Sequence, residues 1–255
     1  MKIALLGYGK MGRFIEGLAL AAGDEIVLKV DKDNRETVTA DYLGGADVAI
    51  EFSRPEAAEG NIDLCLAAGV PVVVGTTGWL NNLPAVSARV GEAGGALFWA
   101  SNFSIGVNIY FATALRAAEL AGKYGGYLPA VREIHHTQKL DSPSGTAITL
   151  AEQTAAGLPE YDAWELDQVI STAPQTRIAP AAPPQEGKTA IPITSIREAG
   201  VPGTHVLTLS SDVDTIELTH TAHSRKGFAA GALTAARWLV GKKGTFTMND
   251  LLGGL

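Results

Sequence analysis

Short apolar runs alternate with longer amphipathic stretches through the first hundred residues. The runs occupy residues 3–6, 26–30, 48–52, 70–74 and 96–100. Unbroken Val, Ile and Leu runs of this length are typical of strands that are buried on both faces. Strands that alternate with helices indicate βαβ units and a parallel sheet. This part of the chain is therefore predicted to form a Rossmann-type α/β domain.

A glycine-rich loop follows the first of these strands. Its sequence, Gly7-Tyr8-Gly9-Lys10-Met11-Gly12, matches G-x-G-x-x-G and opens an amphipathic stretch. The pattern is weak by itself, but a strand before it and a helix after it form a dinucleotide-binding context. The second strand ends at Asp31, whose carboxylate would accept hydrogen bonds from ribose hydroxyls. We therefore expect NADH or NADPH as cofactor, whereas a ligand-free glycine turn is the alternative.

The choice between the two dinucleotides stays open. Asp31 would repel a 2′-phosphate, whereas the adjacent Lys32 would attract one, which favours NADH with NADPH tolerated. Two polar segments, residues 75–78 and 100–104, also end strands at the carboxyl edge, where open α/β sheets bind ligands. We expect the second half of the cofactor to meet Gly75, Thr76, Thr77, Ala100, Ser101, Asn102 and Phe103.

The pattern changes after about residue 102. Helices are predicted over residues 105–121, 146–156 and 229–240, and strands over 130–136, 205–210 and 215–224. Residues 173–192 contain five prolines, too many for a regular element, and are interpreted as an ordered surface loop. The prediction is an α+β domain with a mixed, largely open sheet.

Two histidines and a lysine are concentrated near the end of one predicted strand. His135, His136 and Lys139 precede the turn Ser144-Gly145-Thr146, which opens a helix. Free N–H groups at a helix start, together with hydroxyls and a lysine, form a site for an anion. A histidine beside it can act as a general acid. The segment predicts a pocket for a small carboxylate substrate, with a purely structural role as the alternative.

Composition excludes several classes. The net charge is −7 without a Lys/Arg tract, so nucleic-acid binding is not expected. Cys65 is the single cysteine, which rules out an internal disulfide and a cysteine-rich zinc site. Adjacent histidines on a strand point to opposite sides, so no metal is expected. Arg116 and Glu119 interrupt the longest apolar stretch, so a reduced, cytoplasmic protein without a membrane span is the expectation.

The chain resembles the dihydrodipicolinate reductase family of lysine and diaminopimelate biosynthesis. The resemblance rests on E-I-H-H-x-x-K-x-D-x-P-S-G-T-A over residues 133–147, and several further motifs occur in order along the chain. These are the glycine loop with Met11-Gly12-Arg13, Phe52-Ser53-Arg54-Pro55, Gly75-Thr76-Thr77-Gly78, Ser101-Asn102-Phe103-Ser104-Ile105-Gly106-Val107-Asn108, and the segment from His220 through Ser224-Arg225 to Phe228-Ala229.

The resemblance implies a homotetrameric enzyme that transfers hydride from NAD(P)H to a cyclic dicarboxylic imine. It implies a dinucleotide-binding domain over residues 1–104 and 225–255, and a substrate-binding and oligomerisation domain over 105–224. His135 matches the catalytic proton donor and Lys139 the second donor, while His136, Gly145 and Thr146 match substrate contacts. Residues 7–12, Asp31, Phe52, 75–77 and 100–103 match cofactor contacts.

One departure from the family concerns the glycine loop. Many members carry G-x-x-G-x-x-G, one residue longer than here, with an arginine that assists a 2′-phosphate; Lys10 and Arg13 are the nearest equivalents.

Two rival interpretations remain. An aspartate dehydrogenase-like or diaminopimelate dehydrogenase-like enzyme would share the loop but not the histidine-lysine segment. A dinucleotide sensor without chemistry would need neither His135 nor Lys139.

Overall fold

The protein forms two compact units in a computed structural model. The structure describes residues 1–172, 174, 177–224 and 226–253. The first unit combines Met1–Ile105 with Lys226–Leu255, and the second is Gly106–Arg225. Arg225, where the sequence places the second domain boundary, lies outside the described residues.

The first unit contains a six-stranded sheet in which every pairing is parallel. Its strands are β1 Lys2–Leu6, β2 Glu25–Val30, β3 Val48–Glu51, β4 Val72–Val74, β5 Ala96–Trp99 and β13 Gly244–Phe246. The strand order is β13-β5-β4-β3-β1-β2. Its helices are α1 Lys10–Ala21, α2 Ala40–Leu43, α3 Pro55–Ala67, α4 Leu83–Glu92, α7 Lys226–Leu239 and α8 Met248–Leu251, with 3₁₀ turns at Arg35–Thr37 and Leu80–Asn82.

Consecutive residues of β1 enter different hydrophobic clusters. Ile3 and Leu5 pack in a cluster that includes residues of α1 and α7, whereas Ala4 and Leu6 pack in one that includes residues of α3 and α4. All four side chains are at most 1% exposed. Residues 3–6 of the strand are all apolar because helices cover both faces of the sheet, whereas Lys2 at its start is exposed.

The second unit contains a five-stranded mixed sheet. The elements are α5 Ile105–Tyr124, β6 Leu128–His135, β7 Asp141–Ser142, α6 Gly145–Gly157, β8 Tyr161–Ile170, β9 Arg177–Ile178, β10 Thr189–Arg197, β11 Thr204–Ser210 and β12 Thr215–Thr221. The strand order of the sheet is β12-β11-β6-β10-β8, and β6 pairs in parallel with β10 and antiparallel with β11. Strands β7 and β9 pair with each other in a separate two-stranded sheet.

Both sheets confirm the predicted fold class, but one part of the sequence interpretation was wrong. The structure forms strands within residues 173–192, namely β9 and the first half of β10. Ala173, where the predicted loop starts, lies outside the described residues. Pro192 lies within the ladder between β10 and β8, opposite Glu165, whereas the ladder from β10 to β6 begins one residue later, at Ile193.

Gly231 gives a direct test of the packing in the first unit. A Cβ atom on Gly231 of α7 would lie 1.7 Å from the carbonyl oxygen of Phe103. We expect Gly231→Ala to lower the free energy of unfolding by about 1–3 kcal/mol, because backbone must move to relieve the clash. Urea denaturation followed by circular dichroism measures the change.

The matched control is Gly17→Ala in α1, where a Cβ has no atom within 4 Å. This variant should stabilise the protein by up to about 1 kcal/mol through helix propensity. Equal effects of the two substitutions would contradict the packing argument.

Candidate active site

The glycine loop connects β1 to the start of α1. The N–H groups of Gly7 and Tyr8 donate to the carbonyl of Val30 over 2.8 and 3.0 Å, which ties the loop to the end of β2. Gly7 has a φ of +100°, and a Cβ there would lie 2.1 Å from the carbonyl oxygen of Phe52. A Cβ on Gly12 would lie 2.5 Å from the Gly7 carbonyl oxygen. Both positions therefore require glycine.

Gly9 differs from the other two glycines because a Cβ there would meet nothing within 4 Å. It is the N-cap of α1 and offers no side-chain hydrogen bond to the first turn. The first-turn N–H groups of a helix have no carbonyl partner within that helix. An exposed glycine at this point lets a phosphate approach those groups, so the loop fits the pyrophosphate of a dinucleotide.

Three predicted cofactor residues of this loop are held in different ways. The Tyr8 hydroxyl donates to Glu16, while the Arg13 guanidinium lies 4.9 Å from the centre of the Tyr8 ring. Lys10 is exposed at the start of α1, and Met11 is partly buried against the hydrophobic cluster. Lys10 and Arg13 are thus both exposed to solvent at the start of α1, and only Arg13 lies against the Tyr8 ring.

The carboxyl ends of β3, β4 and β5 bring the next group of predicted residues together. The Phe52 and Phe103 rings lie 5.7 Å apart, and a Cβ on Gly75 would strike the Phe52 ring at 2.1 Å. The N–H of Ser53 donates to Thr76 Oγ1 over 2.8 Å. These loops and the glycine loop lie where the strand order reverses between β1 and β3, a usual ligand position in such sheets.

Four further cofactor candidates lie in the same loops and differ in solvent exposure. Thr77 and Ser101 are exposed, whereas Ala100 is 8% exposed. Asn102 is half-buried, and its Oδ1 accepts a hydrogen bond from the N–H of Ser104 over 2.9 Å. That bond fixes the turn after β5.

Asp31 and Lys32 directly follow β2. One carboxylate oxygen of Asp31 accepts a hydrogen bond from the N–H of Asp33 over 2.8 Å. The Lys32 side chain is 78% exposed and its Nζ lies 3.4 Å from Asp33 Oδ1. Asp31 and Lys32 therefore both follow the end of β2, but the Lys32 ammonium is placed against Asp33.

A buried carboxylate supports the Phe52 loop, and the sequence analysis missed it. Glu51, at the end of β3, is fully buried and accepts hydrogen bonds from the Ser53 hydroxyl and from Asn61 Nδ2, the latter over 3.2 Å. Burial raises the pKa of Glu51, and hydrogen bonds from Ser53, Thr76 and Asn61 oppose that increase.

In the second unit, strand register assembles a polar cluster. Arg197 on β10 is the partner of His135 on β6, and His205 on β11 is the partner of Glu133 on β6. Glu133 and His135 are two residues apart, so they share one face of their strand. All four are at most 9% exposed. The cluster continues the face that carries Val131, Ile193 and Leu207 in the hydrophobic core.

Glu133 connects His135 to Arg197. The Glu133 Oε2 atom contacts His135 Nδ1, and Oε1 lies 2.9 Å from Arg197 Nη2. The N–H of Ser144 donates to the same Oε1 over 3.3 Å. Burial alone would raise the pKa of Glu133, but the His135 hydrogen bond and charge, with Ser195 and Arg197, outweigh burial and lower it. Glu133 is therefore ionised at neutral pH.

Lys139 lies on a turn. Its backbone N–H closes the turn by donating to the carbonyl of His136 over 3.1 Å. Its Nζ contacts both carboxylate oxygens of Asp141, at 2.9 and 2.7 Å. The Asp141 carbonyl accepts from Arg197 Nη2 over 2.7 Å. The lysine and the Glu133–His135 pair are thus connected through one arginine.

The start of α6 carries the remaining predicted substrate residues. Ser144 caps the helix, because its hydroxyl accepts from the N–H of Ala147 over 3.2 Å, and it also lies 3.1 Å from His205 Nε2. Ser144 is 2% exposed, whereas Gly145 is exposed and a Cβ there would meet nothing within 4 Å. Thr146 and His136 are both half-buried. Gly145 thus offers the open approach to this helix N-terminus.

His205 is a further residue that sequence analysis missed. Its ring packs edge-on against His135 at a centroid distance of 5.1 Å. Burial, followed by the charge of His135, lowers the pKa of His205 from 6.5 to about 3. His205 is therefore neutral at physiological pH.

Glu133, His135 and His205 each place a ligand atom within 4.8 Å of the others, close enough to surround a metal ion. The Arg197 guanidinium already neutralises the carboxylate of this cluster. A divalent cation beside that guanidinium would be repelled, so the charges favour an ion-paired site over a metal centre.

The pH dependence of stability tests the burial of His205. Below about pH 6.5 an unfolded His205 takes up a proton that the folded form refuses, so stability falls as pH decreases. We expect His205→Gln to reduce the slope of the free energy of unfolding against pH, between pH 6.5 and 5, by up to about 1.4 kcal/mol per pH unit. Urea denaturation at several pH values measures this slope, and the exposed His223→Gln is the control. A slope unaffected by His205→Gln would contradict the assignment.

Comparisons with known proteins bear on the chain as a whole. A family profile described as dihydrodipicolinate reductase, N-terminus, matches residues 1–103, and the corresponding C-terminus profile matches residues 106–252. No helix within the described residues is both long and apolar enough to cross a bilayer.

Two curated relatives align over nearly their full lengths. The 4-hydroxy-tetrahydrodipicolinate reductase of Christiangramia forsetii is 43% identical over 255 residues, which is 100% of this chain and 99% of the relative. That of Ralstonia pickettii is 32% identical and covers 99% of this chain and 100% of the relative.

The same fold occurs in a solved dipicolinate-bound dihydrodipicolinate reductase from Paenisporosarcina sp. TG-14. The TM-score is 0.73 at 23% identity, with 97% of both chains covered. An amine dehydrogenase from Mycobacterium smegmatis has a TM-score of 0.59 at 12% identity, covering 98% of this chain and 95% of that one. On the two profiles and the full-length relatives, the chain belongs to the dihydrodipicolinate reductase family and is an NAD(P)H-dependent oxidoreductase.

Proposed function

We propose that this chain reduces 4-hydroxy-tetrahydrodipicolinate in lysine and diaminopimelate biosynthesis, with His135 as proton donor. The observation that carries the proposal is the hydrogen bond from the Ser144 N–H to Glu133, the same carboxylate that contacts His135. It places an acid–base side chain beside the start of α6. Helix starts bind anions, and the substrate class is a dicarboxylate.

The first unit would hold the cofactor. Gly9 and the first-turn N–H groups of α1 would bind the pyrophosphate, and Asp31 would bind a ribose. The loops that carry Phe52, Gly75 and Phe103 would surround the nicotinamide. When bound, NADH or NADPH supplies the hydride.

The second unit would bind the substrate through its carboxylates. One carboxylate would accept hydrogen bonds at Gly145 and Thr146, next to the partial positive charge of the helix start. Another would compete with Asp141 for Lys139 Nζ, which contacts Asp141 at 2.7 Å. The Lys139 and Asp141 side chains are 20% and 44% exposed, so Lys139 can exchange this partner for a substrate carboxylate without large rearrangement.

The reduced substrate must also gain a proton. His135 has a base on one side, Glu133, so its ring is oriented and its other nitrogen can face the substrate. A general acid of this kind typically contributes about 10²–10⁴-fold to the rate. Lys139 would be the second donor and the charge partner of a substrate carboxylate.

We also propose a cytoplasmic homotetramer. Exposed apolar side chains on the sheet of the second unit support association, among them Leu128, at 68% exposure, and Ile170, at 47%. Apolar surface of this kind is a usual contact in symmetric assemblies. A single, buried Cys65 is consistent with a reducing compartment.

Substitution of the two proposed proton donors tests this function. We expect His135→Ala and Lys139→Ala each to lower kcat by roughly 10²–10⁴-fold, because each removes a group that supplies a proton. Lys139→Ala should also raise the KM for substrate. NADH and NADPH oxidation measures both parameters, with substrate generated from pyruvate and aspartate semialdehyde by the preceding synthase.

The matched controls are His223→Ala and Lys123→Ala, two exposed residues of the same types in the same unit. They should retain turnover within about twofold, the ordinary scatter for surface substitutions. Near-full turnover in both His135→Ala and Lys139→Ala would exclude the proposed chemistry.

Cofactor preference gives a second test. Asp31→Ala should shift the ratio of kcat/KM values towards NADPH by about fivefold, since a unit charge at about 4 Å contributes about 1 kcal/mol in water. Lys32→Ala should shift the ratio in the opposite direction. If both variants shift it the same way, or neither does, these residues do not read the 2′ position.

A further inference from the structure

Glu133 has both of its carboxylate oxygens committed within the fold. Oε1 lies 2.9 Å from Arg197 Nη2 and 3.3 Å from the Ser144 nitrogen, and both of these groups can only donate. Oε2 contacts His135 Nδ1. An ionised carboxylate can only accept, so the contact with His135 requires a proton on Nδ1.

Arg197 fixes the position of this carboxylate. The guanidinium is fully buried, and its Nη2 also lies 2.7 Å from both the Asp141 carbonyl and Ser142 Oγ, while Nη1 donates to the Ile196 carbonyl over 2.8 Å. With this many partners the guanidinium has one orientation. The Oε1 end of Glu133 therefore always faces donors.

The remaining ring nitrogen of His135 lies beside Gly203. A Cβ on Gly203 would come within 3.0 Å of His135 Nε2. Gly203 precedes β11, and a side chain at this position would crowd the nitrogen. His205 packs edge-on against the His135 ring and is neutral at physiological pH.

We propose that Glu133, oriented by Arg197, is a positioning residue that holds the His135 proton on Nδ1 and makes Nε2 the atom that gives a proton to substrate. The donating form is the imidazolium, in which a proton taken up from solvent occupies Nε2 in addition to the proton on Nδ1. During the transfer the Nε2–H bond breaks, its electron pair stays on the ring, and the proton goes to the substrate that has gained a hydride. The ring returns to its neutral form with Nδ1–H still bonded to Glu133. The catalytic part rests on the proposed function of His135.

Glu133→Gln tests this arrangement because the amide has one acceptor and one donor end. Arg197 and the Ser144 N–H require the amide oxygen on their side, so the NH₂ group must face His135 Nδ1. Nδ1 then has to accept, and the proton moves to Nε2. That proton cannot leave without forming an imidazolate anion, so we expect kcat to fall roughly 10²–10⁴-fold with little change in KM.

The proton position is measured by magic-angle-spinning NMR of protein labelled with ¹⁵N-histidine. The chain has five histidines, and a His135→Gln spectrum identifies the His135 signals. We expect a protonated Nδ1 in the wild type and in Glu133→Asp, and an unprotonated Nδ1 in Glu133→Gln. Glu133→Asp should also recover part of the turnover because it keeps a carboxylate.

The matched control is Thr154→Val in α6, which removes a buried hydrogen bond to the Leu150 carbonyl in the same unit. It should leave the His135 proton on Nδ1 and turnover within about twofold. A general loss of packing would affect both variants alike, whereas loss of positioning affects Glu133→Gln alone.

Two results would overturn the proposal: an unprotonated Nδ1 in the wild type, which needs no variant to fold, or a Glu133→Gln enzyme with its Nδ1 proton and turnover intact. Failure of the proposed function is distinct from both. In that case His135→Ala keeps near-full turnover, while the proton position in Glu133→Gln still decides whether Glu133 positions the ring.

Discussion

The ion pair between Glu133 and Arg197 is the interaction on which the polar half of the second unit depends. Both side chains are fully buried, 2.9 Å apart. Removal of one partner from such a pair typically costs about 3–5 kcal/mol, because the other charge stays buried alone. Three groups contact this pair. They are the His135 ring, the Ser144 N–H at the start of α6, and the carbonyl of Asp141, whose carboxylate pairs with Lys139.

The alternation of side chains between the two faces of a strand builds both the hydrophobic core and the polar cluster of the second unit. Along β6, Val131 packs in the hydrophobic core, and Glu133 and His135 follow on the same buried face. Neighbouring strands make the same change, from Ile193 to Arg197 on β10 and from Leu207 to His205 on β11. Because residues two apart share a face, an apolar core can become a polar site within one strand without any change of fold.

The sequence predicted those parts whose signal is local. Gly7, Gly9 and Gly12 follow a short apolar strand within one hexapeptide, so the glycine loop can be recognised from the sequence alone, although the backbone that crowds Gly7 belongs to the distant Phe52. His135 and Lys139 stand in one short segment. Arg197 gave no such signal, because Pro192 led to the prediction of a loop where its strand begins. A buried arginine can be recognised only once the strand register places it beside Glu133. His205 is likewise a single histidine whose partners are distant in sequence.

Ser144 shows why candidate residues in one motif take different roles. Its hydroxyl caps α6 and contacts His205, and its N–H donates to Glu133, so the fold itself uses its polar groups. Gly145, the next residue, is exposed and has open space where a Cβ would stand. A motif that serves catalysis must also satisfy its own buried polar atoms. The residues that do so are as specific in type as those that would meet a substrate, and only burial separates the two groups.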